Sequence, residues 1–134
     1  MNQYRITLPW PPSVNTYWRH SRGRHYISEK GIKYRQAVID IILHQDLDVT
    51  TSARLKISIS AHVPDRRRRD LDNLQKAVFD SLVHAEFMVD DEQIDDFRVR
   101  RMPMEKGGKL EIVITELEES WPHSSPKYSP SSPL

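Results

Sequence analysis

Residues 54–63 alternate apolar and polar side chains without a break, and Pro64 then stops the pattern. Leu55, Ile57, Ile59, Ala61 and Val63 face one way, while Lys56, Ser58, Ser60 and His62 face the other. A period of two marks a half-buried strand, because successive Cβ atoms fall on opposite faces. Proline has no N–H to give to a ladder, so the strand ends there. Directly after it stand four consecutive arginines, Arg66 to Arg69, then Asp70 and Asp72, with Lys76 one helical turn further on. Strand, basic run and acidic pair thus occupy one junction of the fold.

The rest of the chain organises around that junction. Tyr4, Ile6, Leu8 and Trp10 alternate with Arg5, Thr7 and Pro9, predicting a strand that stops at Pro11-Pro12. Residues 11–27 read as a long polar loop. From Ser28 to about Leu47, apolar residues Ile32, Ile39, Ile42, Leu43 and Leu47 recur at helical spacing, with Ser28 suited to the N-cap. A second helix is predicted over about 71–86, with Leu71, Leu74, Val78, Leu82 and Ala85 on one face. Phe97 and Val99 begin a third strand, Gly107-Gly108 mark a turn, and Leu110, Ile112 and Ile114 carry a fourth. The order β-α-β-α-β-β predicts one small α/β (α+β) domain over 1–119, a mixed sheet packed with helices. Residues 120–134, rich in serine and proline, read as a disordered tail.

Composition narrows the classes. At 134 residues the chain supports one modest core. A mean hydropathy of −0.66 and no apolar run near the roughly 20 residues of a membrane span predict a soluble protein without membrane partners. The first residues lack the apolar segment of a signal peptide, so a cytoplasmic location is expected. With no cysteine, disulfides, thiolate metal sites and cysteine nucleophiles are excluded. The net charge is only +1, yet residues 1–69 hold 13 Lys/Arg against 5 Asp/Glu and residues 70–134 hold 7 against 14, giving +8 and −7. That asymmetry fits a half that binds a polyanion and a half that binds metal, unless folding interleaves the two.

Arginine grips phosphate through a planar fork, and carboxylates without histidine or cysteine beside them suit a hard cation such as Mg²⁺. Two carboxylates about 4 Å apart repel by about 4 kcal/mol at an effective dielectric near 20, and a cation removes that repulsion. A second reading stays open: Asp72 with Gln75 fits a capping box, and Lys76 can pair with Asp72. Asp90 and Asp91 fit either a solvated acidic turn or the completion of a metal site. A helix of about 15 residues spans roughly 22 Å, so Asp91 reaches Asp70 only by a return of the chain or across a subunit boundary. The loop from Asn15 to Tyr26 sets Arg19, Arg22 and Arg24 beside Tyr17, Trp18 and Tyr26. Such interleaving suits phosphate contacts with base stacking, although Tyr17 and Trp18 fit a core equally well.

Four segments carry a family resemblance. They are Tyr-Arg-Ile-Thr-Leu-Pro-Trp-Pro-Pro-Ser-Val-Asn near the start, Pro-Asp-Arg-Arg-Arg-Arg-Asp-Leu-Asp-Asn-Leu-Gln-Lys-Ala-Val-Phe-Asp after the strand, Val-Asp-Asp-Glu-Gln, and Met-Pro-Met-Glu-Lys-Gly-Gly-Lys-Leu-Glu-Ile. Together, over about residues 1–117, they resemble the RusA family of Holliday-junction resolvases. The resemblance implies a homodimeric, Mg²⁺-dependent endonuclease of phage or prophage type, with Mn²⁺ as a substitute ion. It would resolve four-way junction DNA in recombination and repair by paired incisions, preferring sites beside a CC dinucleotide. By position, Asp70, Asp72 and Asp91 match the family's catalytic, metal-holding carboxylates and Lys76 its required lysine. Asn15, Arg19, Arg22, Arg24 and Arg66, Arg67, Arg68 and Arg69 are the expected DNA contacts. Two other classes remain: a non-catalytic nucleic-acid-binding module whose aspartates only cap a helix, and a phosphoesterase acting on nucleotides.

Overall fold

The computed structural model describes residues 2–117. Four strands form the main sheet: β1 (Gln3–Leu8), β4 (Leu55–His62), β5 (Ile94–Met102) and β6 (Lys109–Glu116). Their order is β1-β6-β4-β5, with β5 parallel to β4 and the other neighbours antiparallel. The sheet is therefore mixed, as the order of elements predicts. Registers such as Ile6↔Ile112↔Ile59 and Tyr4↔Ile114↔Ile57 line one apolar face from β1 across to β4.

Two helices cover that face. Helix α2 (Glu29–His44) follows a Ser28 N-cap, whose hydroxyl accepts the Gly31 N–H at 3.0 Å. It buries Tyr34, Val38 and Ile42, whereas Ile32 and Leu43, both expected on the inner face, are about half exposed. Tyr34 makes the difference: its ring enters the core while its hydroxyl donates to the Pro9 carbonyl at 2.8 Å, rotating the buried stripe. Helix α3 (Leu74–His84) buries Val78 and Leu82, and Ala85 beyond its end, as the spacing predicts. It is the crossover between parallel strands β4 and β5, the kind of link such a pair requires.

Two expectations need correction. Residues 11–27 are not an open loop: they hold a single helical turn, α1 (Val14–Tyr17), and a hairpin of β2 (Trp18–Ser21) and β3 (Arg24–Ile27). The hairpin turns on Arg22 and Gly23 at φ +51° and +76°, and its polar strands give no apolar alternation to read. Gly31 lets α2 meet this insert, since a Cβ there would lie 2.6 Å from the Tyr17 carbonyl oxygen. Secondly, α3 begins at Leu74 rather than 71, because Asn73 adopts a left-handed conformation at φ +67°, which asparagine tolerates better than most residues. The turn expected at Gly107-Gly108 is present, and the strands it links, β5 and β6, are not paired, since β4 lies between them. Their connection crosses the end of β4, and a Cβ on Gly108 would meet Pro64 at 2.9 Å and Trp10 at 3.0 Å. The expected Ser/Pro tail, 120–134, lies outside the described residues.

Candidate active site and nucleic-acid groove

Asp70 and Asp72 stand in the irregular segment between β4 and α3, on the wall of a groove of about 1010 Å³. The same groove takes Trp10 and Asn15 from the β1–α1 region, Lys30 and Lys33 from the first turns of α2, and Arg67 to Arg69. Among the described residues neither Asp70 nor Asp72 has a hydrogen-bond or ion-pair partner. The capping box is not formed: Asn73 holds the N-cap position and makes no side-chain capping bond. Two carboxylates without an intramolecular use, beside cations and without histidine or cysteine, are a donor set that fits a hard divalent ion.

The arginine run divides by function. Arg69 donates Nε and Nη2 to Asp65 at 3.2 and 2.9 Å, and the Arg67 backbone N–H donates to the same carboxylate at 3.0 Å. The Arg69 guanidinium holds the Asp65 carboxyl below the usual carboxylate range, with the Arg67 N–H assisting. Arg101 from β5 secures the segment from behind by donating to the Arg69 carbonyl at 2.6 Å. Arg69 and, in part, Arg67 therefore shape the loop, while Arg66 and Arg68 have no side-chain partner among the described residues.

Asp91 and Lys76 line a different cavity, of about 600 Å³, beside α3. Asp80, Asp90 and the rings of Phe79 and Phe97 line it too. Asp91 opens a short 3-10 turn (Asp91–Gln93), capped by Asp90. Asp90 thus has a structural use as well as its charge. Beneath the turn, the buried Gln93 amide donates to the Thr51 and Ala53 carbonyls at 2.9 and 2.8 Å. It also accepts the Val89 and Asp90 N–H groups, both at 2.8 Å. Arg54 binds Glu92 and Asp95 on either side. Burial pushes the Asp91 carboxyl up, and the charges of Asp90 and Asp80 push it the same way. No three Asp, Glu or His residues converge on a metal position among the described residues of this single chain. Asp70 and Asp72 are together; Asp91 is with Lys76.

Asp80, on α3, accepts from Arg35 of α2 at 2.8 Å and from the Tyr17 hydroxyl. Tyr17 is fully buried, so of its two readings the core is the one realised. Arg19, Arg22 and Arg24 lie on the exposed hairpin, outside both cavities. Sequence reasoning missed Lys30, Lys33, Asp80 and Gln93. The lysines sat on a helix face with no signal, and Gln93 resembled any loop glutamine; the Asp90-x-x-Gln93 spacing of a capping box was the available clue.

A cationic groove with paired hard-oxygen donors is the equipment of a nuclease. The chain belongs to the endodeoxyribonuclease RusA family, whose model matches residues 9–115. A crossover junction endodeoxyribonuclease RusA of Shigella sonnei (strain Ss046) is 57% identical over 117 residues, covering 87% of this chain and 98% of that protein. The proteins of the same name from Escherichia coli (strain K12), 56% identical, and Enterobacteria phage 82, 57% identical, match with the same coverage. The protein is accordingly an enzyme of that nuclease family.

Proposed function

We propose that the protein is a Mg²⁺-dependent endodeoxyribonuclease that resolves four-way DNA junctions by paired incisions in recombination and repair. The observation that carries this reading is the pair Asp70 and Asp72, without hydrogen-bond or ion-pair partners among the described residues, in a groove lined by cations. The names of the relatives supply the junction as substrate. Residues 1–119 form the endonuclease domain, and the phage 82 relative supports a phage or prophage origin.

Asp70 and Asp72 are the residues that would hold the ion; Asp91, which lines a separate cavity in the single chain, would join them across a subunit boundary of the dimer, and carboxylate donors suit Mn²⁺ as a substitute. The chemistry supplied by bound Mg²⁺ is polarisation of the phosphodiester and a more acidic water. Lys76 presents its ammonium to charge developing on the phosphate. Asn15, Arg66, Arg68 and in part Arg67, with the hairpin's Arg19, Arg22 and Arg24, position the backbone, a task that carries no sequence information, while Arg69, bound to Asp65, holds the shape of the arginine segment. A twofold homodimer matches a near-twofold junction and presents one site to each nicked strand. Phe97 and Val89, each about half exposed near the Asp91 cavity, offer apolar surface to a second copy. No helix among the described residues is long and apolar enough to cross a membrane, and a cytoplasmic location accords with a DNA substrate.

The test is cleavage of labelled four-way and linear duplex DNA by the purified protein, with and without Mg²⁺. Paired nicks in the junction alone, only with the ion, are expected. Asp70→Asn, Asp72→Asn and Asp91→Asn should abolish cutting and leave junction binding intact. Cutting retained in all three variants refutes the site. Junction binding without cleavage under any divalent ion would favour the binding module.

A further inference from the structure

Lys30 and Lys33 stand where helix physics does not favour them. Lys30 is in the first turn of α2, close to the positive end of the helix dipole, where cations are unfavourable. Lys33 lies three residues on, so the two like charges are neighbours on one face and repel. Among the described residues neither has a hydrogen bond or ion pair to offset this. Both are exposed, and both border the groove that holds Asp70 and Asp72. Two cations placed against the dipole and two anions beside them, all four without partners among the described residues, serve no visible folding purpose. Residues whose placement opposes local stability concentrate where function requires them.

We infer that Lys30 and Lys33 are phosphate-contacting residues, a second cationic wall of the groove supplied by α2 and separate from the arginine run. The inference rests on the nuclease reading and extends it to residues outside the arginine-rich segments. Arg69 and part of Arg67 are already committed to Asp65, so the α2 lysines and Arg68 are the groove cations free to meet a DNA backbone. A lysine is a compact point charge on a flexible stem. It neutralises a phosphate without fixing base identity, so it strengthens the grip on every sequence alike.

The test is junction binding by the full-length protein in EDTA, where cutting is suppressed, measured by fluorescence anisotropy over a series of salt concentrations. Lys30→Gln/Lys33→Gln should flatten the slope of log K against log salt by about 2, close to one for each phosphate no longer neutralised. Binding should weaken to the same extent on junctions of different sequence. The melting temperature should hold or rise, because the charges oppose the helix. Lys30→Arg/Lys33→Arg should keep the wild-type slope. Lys56→Gln, an exposed lysine on the opposite face of the sheet, should leave the slope unchanged. An unchanged slope in the glutamine variant, an equal flattening by Lys56→Gln, or a marked fall in melting temperature each overturns the inference. Failure of the wild-type protein to bind junctions overturns the nuclease reading as well, and it shows in the wild-type arm alone.

Discussion

Gln93→Ala probes how the Asp91 turn is held. The native amide makes four hydrogen bonds, two from Nε2 to the Thr51 and Ala53 carbonyls and two to Oε1 from the Val89 and Asp90 N–H groups. Each such bond contributes about 1 kcal/mol net, and a buried group left unpaired costs about 1–3 kcal/mol. Gln93 is 6% exposed, so water replaces the amide poorly. Partial hydration of the outer partners brings the expected loss to about 3 kcal/mol, or roughly 10 °C in melting temperature for a domain of this size. Gln93→Glu should do no better, because it turns a carboxylate toward two carbonyls in place of an N–H donor. Thermal unfolding followed by circular dichroism gives the stability. Junction cleavage, measured at a temperature where the variant is fully folded, gives the catalytic effect. Cleavage should fall at least tenfold while junction binding is kept, since a misplacement of about 1 Å can cost 10²-fold in rate. A melting temperature within 2 °C of wild type would refute the claim that this amide clamps the turn.

Two further outcomes follow from the site. Asp72→Ala should change stability by no more than about 0.5 kcal/mol, since Asp72 caps nothing; a loss near 1 kcal/mol, the usual cost of deleting an N-cap, would restore the capping reading. Tyr17→Phe bears on pH: burial, with the Asp80 bond assisting, pushes the Tyr17 hydroxyl up to about 12 from its ordinary 10.0. A folded-state value above the unfolded one contributes stability that is complete below pH 10 and lost as the pH rises toward 12. The phenylalanine variant should therefore lose stability at neutral pH and less additional stability than wild type across that alkaline window, as read from denaturant midpoints. Parallel declines in the two proteins would refute the argument.

The elements with strict periodicity were legible in the sequence. The β4 alternation, the Ser28 cap and the Val78, Leu82 and Ala85 stripe of α3 all stand where their spacing put them. Asp70 and Asp72 are neighbours in one groove, as their separation implied. What escaped had no local signature. The β2–β3 hairpin has only the Trp18–Ile27 pair packed on the core, at its open end, and turns on Arg-Gly, so neither a sustained alternation nor the Asn-Gly signal was present. Tyr34 set the buried face of α2 through a bond to a carbonyl 25 residues away. The separation of Asp91 from Asp70 depends on where β5 docks, which only the sheet order determines. Gln93 acts through backbone groups of a segment some 40 residues earlier, a relation that residue type cannot reveal.

The placement of β4 between β5 and β6 also governs how the chain acquires its shape. Sheet pairing in the main layer is non-local throughout: β1 finds its partner across Gln3↔Thr115, almost the full length of the described chain. High contact order of this kind slows folding, because loop-closure entropy is lost before any pairing is gained. During synthesis β1 stays without its ladder until β6 has been made. Until then β4 can pair only with β5, and its other edge remains open to a wrong partner, including the same strand of a neighbouring nascent chain.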